Sequence, residues 1–111
     1  MARFKFPLIN PLLHNELRLK IIVALDSLDS ANFMYLCSIT DSSRGNLSVQ
    51  IKSLQEAEYL EVTKSGIGRF SSTICRITEK GRNALRTYEE SLHNLFLQEV
   101  PSQDESQSTA V

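Results

Sequence analysis

Between Ser43 and Arg82 the spacing of apolar residues changes period, and that change constrains the fold more than any other feature of the chain. Leu47, Ile51, Leu54 and Ala57 recur at intervals of four, three and three, which puts them on one face of a helix over about residues 44–57. From Tyr59 the interval drops to two. Leu60 and Val62 alternate with Glu61 and Thr63. After the connection SGIGRFS, with its two glycines, Cys75 and Ile77 alternate with Ile74 and Arg76. Two half-buried strands joined as a hairpin account for this pattern. Thr78 then offers a cap, with Glu79 in the first turn, to another helix.

The flanks complete the outline. Leu13, Leu17, Ile21, Leu25 and Leu28 share one face of a helix predicted over 12–28, and Asn10-Pro11 suits its cap and first turn. Asp29 to Asn32 break that helix. Phe33 to Ile39 form a short second helix with Phe33, Met34, Leu36 and Cys37 inward, and the polar turn Thr40 to Ser43 can accept the unpaired N–H groups of the helix that follows. Ala84, Leu85, Tyr88, Leu92, Leu95 and Phe96 make the stripe of a last helix over 79–97. Residues 1–11 read as an arm with Phe4 and Phe6 as anchors, and residues 99–111 as a disordered tail poor in aromatics. The expected fold is therefore α+β and mostly helical. It is a winged helix-turn-helix over residues 1–98, with a small antiparallel β-hairpin wing and a C-terminal dimerisation helix.

Composition narrows the class. No apolar run approaches the ~18 residues that cross a bilayer, and the start lacks a secretory pattern, so a soluble, cytoplasmic protein is expected. Net charge is −1, which is low for a nucleic-acid binder. The charges are uneven, however: all 12 Lys and Arg lie in residues 1–98, whereas Glu99, Asp104 and Glu105 belong to the tail, so the body carries 12 − 10 = +2. Cys37 and Cys75 form no metal-ligand spacing and read as small buried hydrophobes. His14 and His93 match no triad order, Glu89 and Glu90 are adjacent and cannot share a helix face, and Gly66 and Gly68 sit in a hairpin with no phosphate-loop motif. No enzymatic activity, metal or cofactor is expected.

The helix 44–57 is the candidate contact surface. With Leu47 at zero and 100° per residue, Gly45, Ser48, Val49, Lys52 and Glu56 fall between about 100° and 200°, away from the core. All but Glu56 are small or basic, as a helix entering the DNA major groove requires. Ser48 suits a base or phosphate, Lys52 a phosphate, and Val49 a thymine methyl. Arg44 reaches a base edge or phosphate from the helix start. Ser42, Ser43 and Asn46 surround the same N-terminus, which favours anions. Gly45, which costs roughly 1 kcal/mol against Ala in a helix interior, points to close approach of another backbone. Lys64 and Arg69 supply the hairpin tip with phosphate contacts. Two readings stay open: a DNA-binding regulator, and a winged-helix protein-interaction module that keeps the fold without binding DNA.

The segment NPLLHNELRLKIIVAL resembles the opening helix of small winged-helix DNA-binding proteins related to the MarR and ArsR groups, through Asn10-Pro11, His14 and Arg18-Leu19. GNLSVQIKSLQEAEYLEVTK resembles their recognition helix and first wing strand, and TEKGR the start of their last helix. The resemblance covers about residues 10–97. It implies a transcriptional regulator that dimerises on a near-palindromic operator in double-stranded DNA. The chain departs from the pattern at Glu58, where the family usually has Gly, and in a wing poorer in Arg and Pro. The long stripe of the last helix places a dimer interface at Tyr88, Leu92, Leu95 and Phe96, with Phe4 and Phe6 of the arm wrapping the partner. Nothing in the chain indicates a small-molecule effector; one would have to sit in the dimer interface, the alternative input being a partner protein.

Overall fold

The computed structural model describes residues 3–66 and 72–103. Helix α1 (Glu16–Leu28) is followed by strand β1 (Ser30–Asn32), helix α2 (Phe33–Thr40) and helix α3 (Arg44–Glu56), then strands β2 (Leu60–Ser65) and β3 (Ser72–Ile77), and helix α4 (Glu79–Leu97). The three strands form one antiparallel sheet in the order β1-β3-β2, with Ala31 opposite Cys75 and Val62 opposite Cys75 on the other side. This is a winged helix. Among the described residues no helix is long and apolar enough to cross a membrane.

Several boundaries differ from the sequence reading, each for a local reason. Asn10 does not cap α1. Its Oδ1 accepts from the amides of Leu12 and Leu13, and its carbonyl accepts from His14, so residues 10–14 close a separate turn. Asn15 takes the cap instead, accepting from the Arg18 amide at 2.9 Å, and the helix starts at Glu16. The turn still delivers Leu13 to the core, where Ile22 joins Ile21 and Leu25, whereas Leu28 is left exposed. The break at 29–32 contains β1, too short and too polar to declare itself by pattern; pairing with β3 makes it a strand. Met34 points outward. It lies 200° around α2 from Leu36, which with Cys37 and Thr40 holds the buried side.

The joint between α3 and α4 is tight. Glu58 takes the left-handed conformation, φ 65°, at the position where a glycine is ordinarily preferred. Its amide donates to the Gln55 carbonyl and that of Tyr59 to the Leu54 carbonyl, so the last carbonyls of α3 are satisfied despite the strain. Thr78 Oγ1 donates to the Glu58 carbonyl at 2.7 Å and accepts from Gly81 N at 2.9 Å, capping α4 and tying it to the end of α3. The core cluster runs from Leu13 and α1 through Leu47, Ile51 and Leu54 of α3 to Cys75, Ile77, Leu85 and Tyr88. The tail expected at 99–111 is described only to residue 103.

Gly81 is the position where this packing admits no side chain. A Cβ there would stand 2.4 Å from the Tyr59 carbonyl oxygen, which already accepts from the Thr78 amide. Helix propensity alone would favour alanine by about 1 kcal/mol, but overpacking against backbone costs about 1–3 kcal/mol and wins. Gly81→Ala is expected to lower stability by about 1–2 kcal/mol net, measured by urea unfolding; an unchanged midpoint would show that α4 can shift off β2 freely.

Candidate nucleic-acid interface

The buried residues of α3 are Leu47, Ile51 and Leu54, and Arg44, Gly45, Asn46, Ser48, Val49 and Lys52 are all exposed. Ser48, Lys52 and Lys64 come together: with Gln55, Val62 and Thr73 they line a cleft of about 370 Å³ between α3 and the β2–β3 hairpin. Arg44 stands in a second cleft with Asn32, Met34, Ser72 and Thr73, which shares Phe33 and Thr73 with the first. Ser42, Ser43 and Asn46 lie on the opposite flank, beside Glu16, Lys20 and Asp41. Arg69 falls outside the described residues. The structure thus groups the wing lysine with the helix but divides the remaining polar residues between two flanks.

Local chemistry sets several of these groups. Ser43 caps α3, its Oγ accepting from Asn46 N, and Ser42 Oγ pairs with Thr40 Oγ1 at 2.8 Å. Gly45 is not explained by packing within the chain, since a Cβ there meets nothing within 4 Å. Two residues absent from the sequence-based set bear directly on α3. Arg18 of α1 donates through Nη1 to Gln50 Oε1 at 2.6 Å, and Gln50 Nε2 donates to Asn46 Oδ1 at 3.3 Å. The i,i+4 spacing of Asn46 and Gln50 was a legible signal for the second bond; nothing local pointed to the first.

Charge is partitioned more sharply than the net value implies. Asp26 accepts from both Arg82 and Arg86, and Asp29 from Arg76 and Arg82. Lys20 pairs with Glu16 and Lys80 with Glu58. Among the described residues, the Lys and Arg in no ion pair are Arg3 and Lys5 of the arm, Arg18 on Gln50, and Arg44, Lys52 and Lys64 around α3. Asp41 and Glu56 also lie unpaired near this helix, so the surface is mixed rather than uniformly basic.

The other candidate set lies toward α4. Tyr88 is buried within the chain, its hydroxyl 2.9 Å from His14 Nδ1. Leu92 and Leu95 are half-buried, while Phe96 is 79% exposed. Phe4 and Phe6 stack edge-to-face at 5.0 Å and remain exposed. An apolar cleft of about 410 Å³ opens between α1 and α4, lined by Leu19, Val23, Leu85, Tyr88 and Leu92. Cys37 and Cys75 are buried free thiols, and burial pushes that of Cys75 up to about 11.

An exposed helix with a slim outer face, flanked by a two-stranded wing, defines a winged-helix domain of the kind found in DNA-binding regulators. The family model for the winged helix DNA-binding domain matches residues 17–96, and the chain belongs to that family. An uncharacterised protein of Methanocaldococcus jannaschii is 36% identical over 75 residues, 68% of this chain and 82% of that one. The transcriptional regulator homologue from Pyrococcus horikoshii has a TM-score of 0.71 and 26% identity, covering 77% of this chain and 84% of its own. The transcriptional regulator BldR from Sulfolobus solfataricus shares the fold, with a TM-score of 0.60 and 23% identity over 85% of this chain and 68% of its own. Such neighbours are regulators of the MarR-like kind that the sequence resemblance implied.

The arginine–aspartate cluster gives a testable pH dependence. The hydrogen bond from Arg86, and then the charges of Arg86 and Arg82, hold the Asp26 carboxyl below the usual carboxylate value against the partial burial that opposes them. A depressed carboxyl stabilises the fold at pH above its unfolded value, about 3.9, and that contribution is lost as pH falls through the lower folded value. Arg82→Ala is expected to cost about 1–2 kcal/mol at neutral pH, since its partners are partly exposed, and the gap to wild type should narrow as pH falls through the depressed Asp26 value. Thermal unfolding of both proteins across pH 2–7 measures this; a gap independent of pH would remove the ionic account.

Proposed function

We propose that this protein is a transcriptional regulator that binds duplex DNA as a homodimer on a near-palindromic operator. The acting unit is residues 1–98, and it works in the cytoplasm. The observation that carries this reading is the partition of cations. Three arginines are consumed by Asp26 and Asp29, whereas Arg44, Lys52 and Lys64 stay free of ion pairs around an exposed helix. In this reading α3 enters the major groove. Ser48 and Val49 face base edges, Arg44 and Asn46 work from the first turn, and Lys52 with Lys64 meets flanking phosphates. Ser42, Ser43 and the helix N-terminus hold a phosphate on the other flank, and Gly45 leaves room for the DNA backbone. Arg69 is assigned a flanking phosphate on the sequence alone.

The dimer is built by α4 and the arm. Phe96, Leu97 and Val100 are 79%, 65% and 62% exposed at one end of the chain, and Phe6 is 59% exposed at the other, apolar surface that a partner subunit would cover. A two-fold arrangement brings two α3 helices about one DNA turn (~34 Å) apart. The rival reading, a winged helix that docks protein, has the exposed Met34, Tyr35 and Ile39 of α2 in its favour.

Two measurements separate these readings. Lys52→Ala should weaken DNA binding across sequences and reduce the salt slope by about one unit, whereas a wild-type affinity indifferent to salt would favour protein docking. Replacing Leu92 and Phe96 with Glu should give monomers with weakened operator binding, read by light scattering and gel shift. A folded double variant that stays dimeric would move the interface elsewhere.

A further inference from the structure

We infer that Asn46 reads the orientation of one base pair, and that Arg18, from outside the DNA interface, decides which of its atoms does the reading. The inference rests on the DNA-binding function proposed above. A guanidinium carries only donors, so Gln50 has to turn its oxygen toward Arg18, and the bond is 2.6 Å long. The Gln50 amide nitrogen therefore faces Asn46, whose Oδ1 accepts from it at 3.3 Å. With that oxygen turned back along the helix, Asn46 presents Nδ2, a donor, to the outside. Arg18 is itself anchored, since its Nε donates to the Leu12 carbonyl, and the Asn46 backbone is held by the Ser43 cap. Three residues on two helices thus form a one-way relay. Donor faces acceptor at each step, and the last donor is exposed in the first turn of α3, the part of a recognition helix that reaches base edges.

The consequence is chemical. An unconstrained asparagine offers oxygen and nitrogen together and favours adenine by a bidentate contact. Here the oxygen is aimed at Gln50 rather than outward, so the bidentate contact is withheld and an acceptor is sought. In the major groove guanine offers the acceptors O6 and N7, thymine O4 and adenine N7, whereas cytosine offers only the N4 donor. An outward donor therefore rejects cytosine on the strand it touches, and so fixes which way round a G·C pair lies. Arg18 is a positioning residue; it touches no DNA.

Binding-site selection from a random duplex pool, on the full chain, tests this with three variants. Wild type should exclude cytosine at one position of each half-site. Asn46→Asp, acceptor only, should admit cytosine there and disfavour guanine and thymine by roughly tenfold while other positions hold. Gln50→Glu keeps an acceptor for Arg18 but has no donor for Asn46. The amide then turns to donate to the new carboxylate, its oxygen faces out, and cytosine is admitted likewise with little change in thermal midpoint. Arg18→Met should flatten the preference at that position alone, and thermal unfolding checks that it is folded. Folded variants that bind more weakly but keep every wild-type base preference would overturn the relay and leave the proposed function standing. A wild type that enriches no DNA would overturn that function and the relay with it.

Discussion

Asp26 and Asp29, at the end of α1, meet arginines from β3 and α4, and the arrangement of the rest follows from that meeting. Asp29 sits at φ 72°, ψ −50°, a conformation that side chains rarely adopt, and it turns the chain directly into β1. Its carboxylate is held there by Arg76 and Arg82, while its carbonyl accepts from the Ile77 amide. The local strain is thus offset by charge-assisted bonds from two other elements. Without that turn β1 would not lie beside β3, and the sheet would reduce to the hairpin alone.

The same cluster explains how a chain of near-neutral charge presents cations. Arginines at 76, 82 and 86 contribute to the formal count but not to the outer field, because their partners lie within hydrogen-bond reach. The cations left around α3 are few, and Asp41 and Glu56 stand near them. A surface of this kind has weak general affinity for phosphate and depends on placement of individual side chains for its selectivity. The relay from Arg18 to Asn46 belongs to the same economy, since it uses a cation inside the protein to orient a neutral group outside it.

The end of α3 and the start of α4 are joined by hydrogen bonds to backbone carbonyls. Thr78 N donates to the Tyr59 carbonyl and Thr78 Oγ1 to that of Glu58, so the end of α3 and the start of α4 share one hydrogen-bonded knot. Gly81 fits against it because it has no side chain, and Asn10 reaches it through the Tyr59 hydroxyl at 3.0 Å. The arm, the base of the wing and the last helix are all fastened there.

Periodicity by itself determined the long helices, the two wing strands and the face of α3, because a one-sided core forces apolar residues to repeat at the period of the backbone that carries them. Residue type also placed the α4 cap at Thr78 and the α3 cap within the turn Thr40 to Ser43, because capping side chains act within three residues. The tertiary structure decided what depends on distant partners. Ser30 to Asn32 is a strand only because β3 lies beside it. Helix α1 starts at Glu16 because Asn10 is spent on its own turn and Asn15 takes the cap. Gly81, not Gly45, is the glycine that packing demands, and Tyr88 is committed to His14, 74 residues away. Which arginines are neutralised, and which amide atom Asn46 turns outward, follow from contacts across 47 and 32 residues of chain, Arg76 with Asp29 and Arg18 with Gln50. Spacing along a sequence carries the local period of the backbone, but hydrogen bonds and charges are satisfied in space, and only the folded chain brings those partners together.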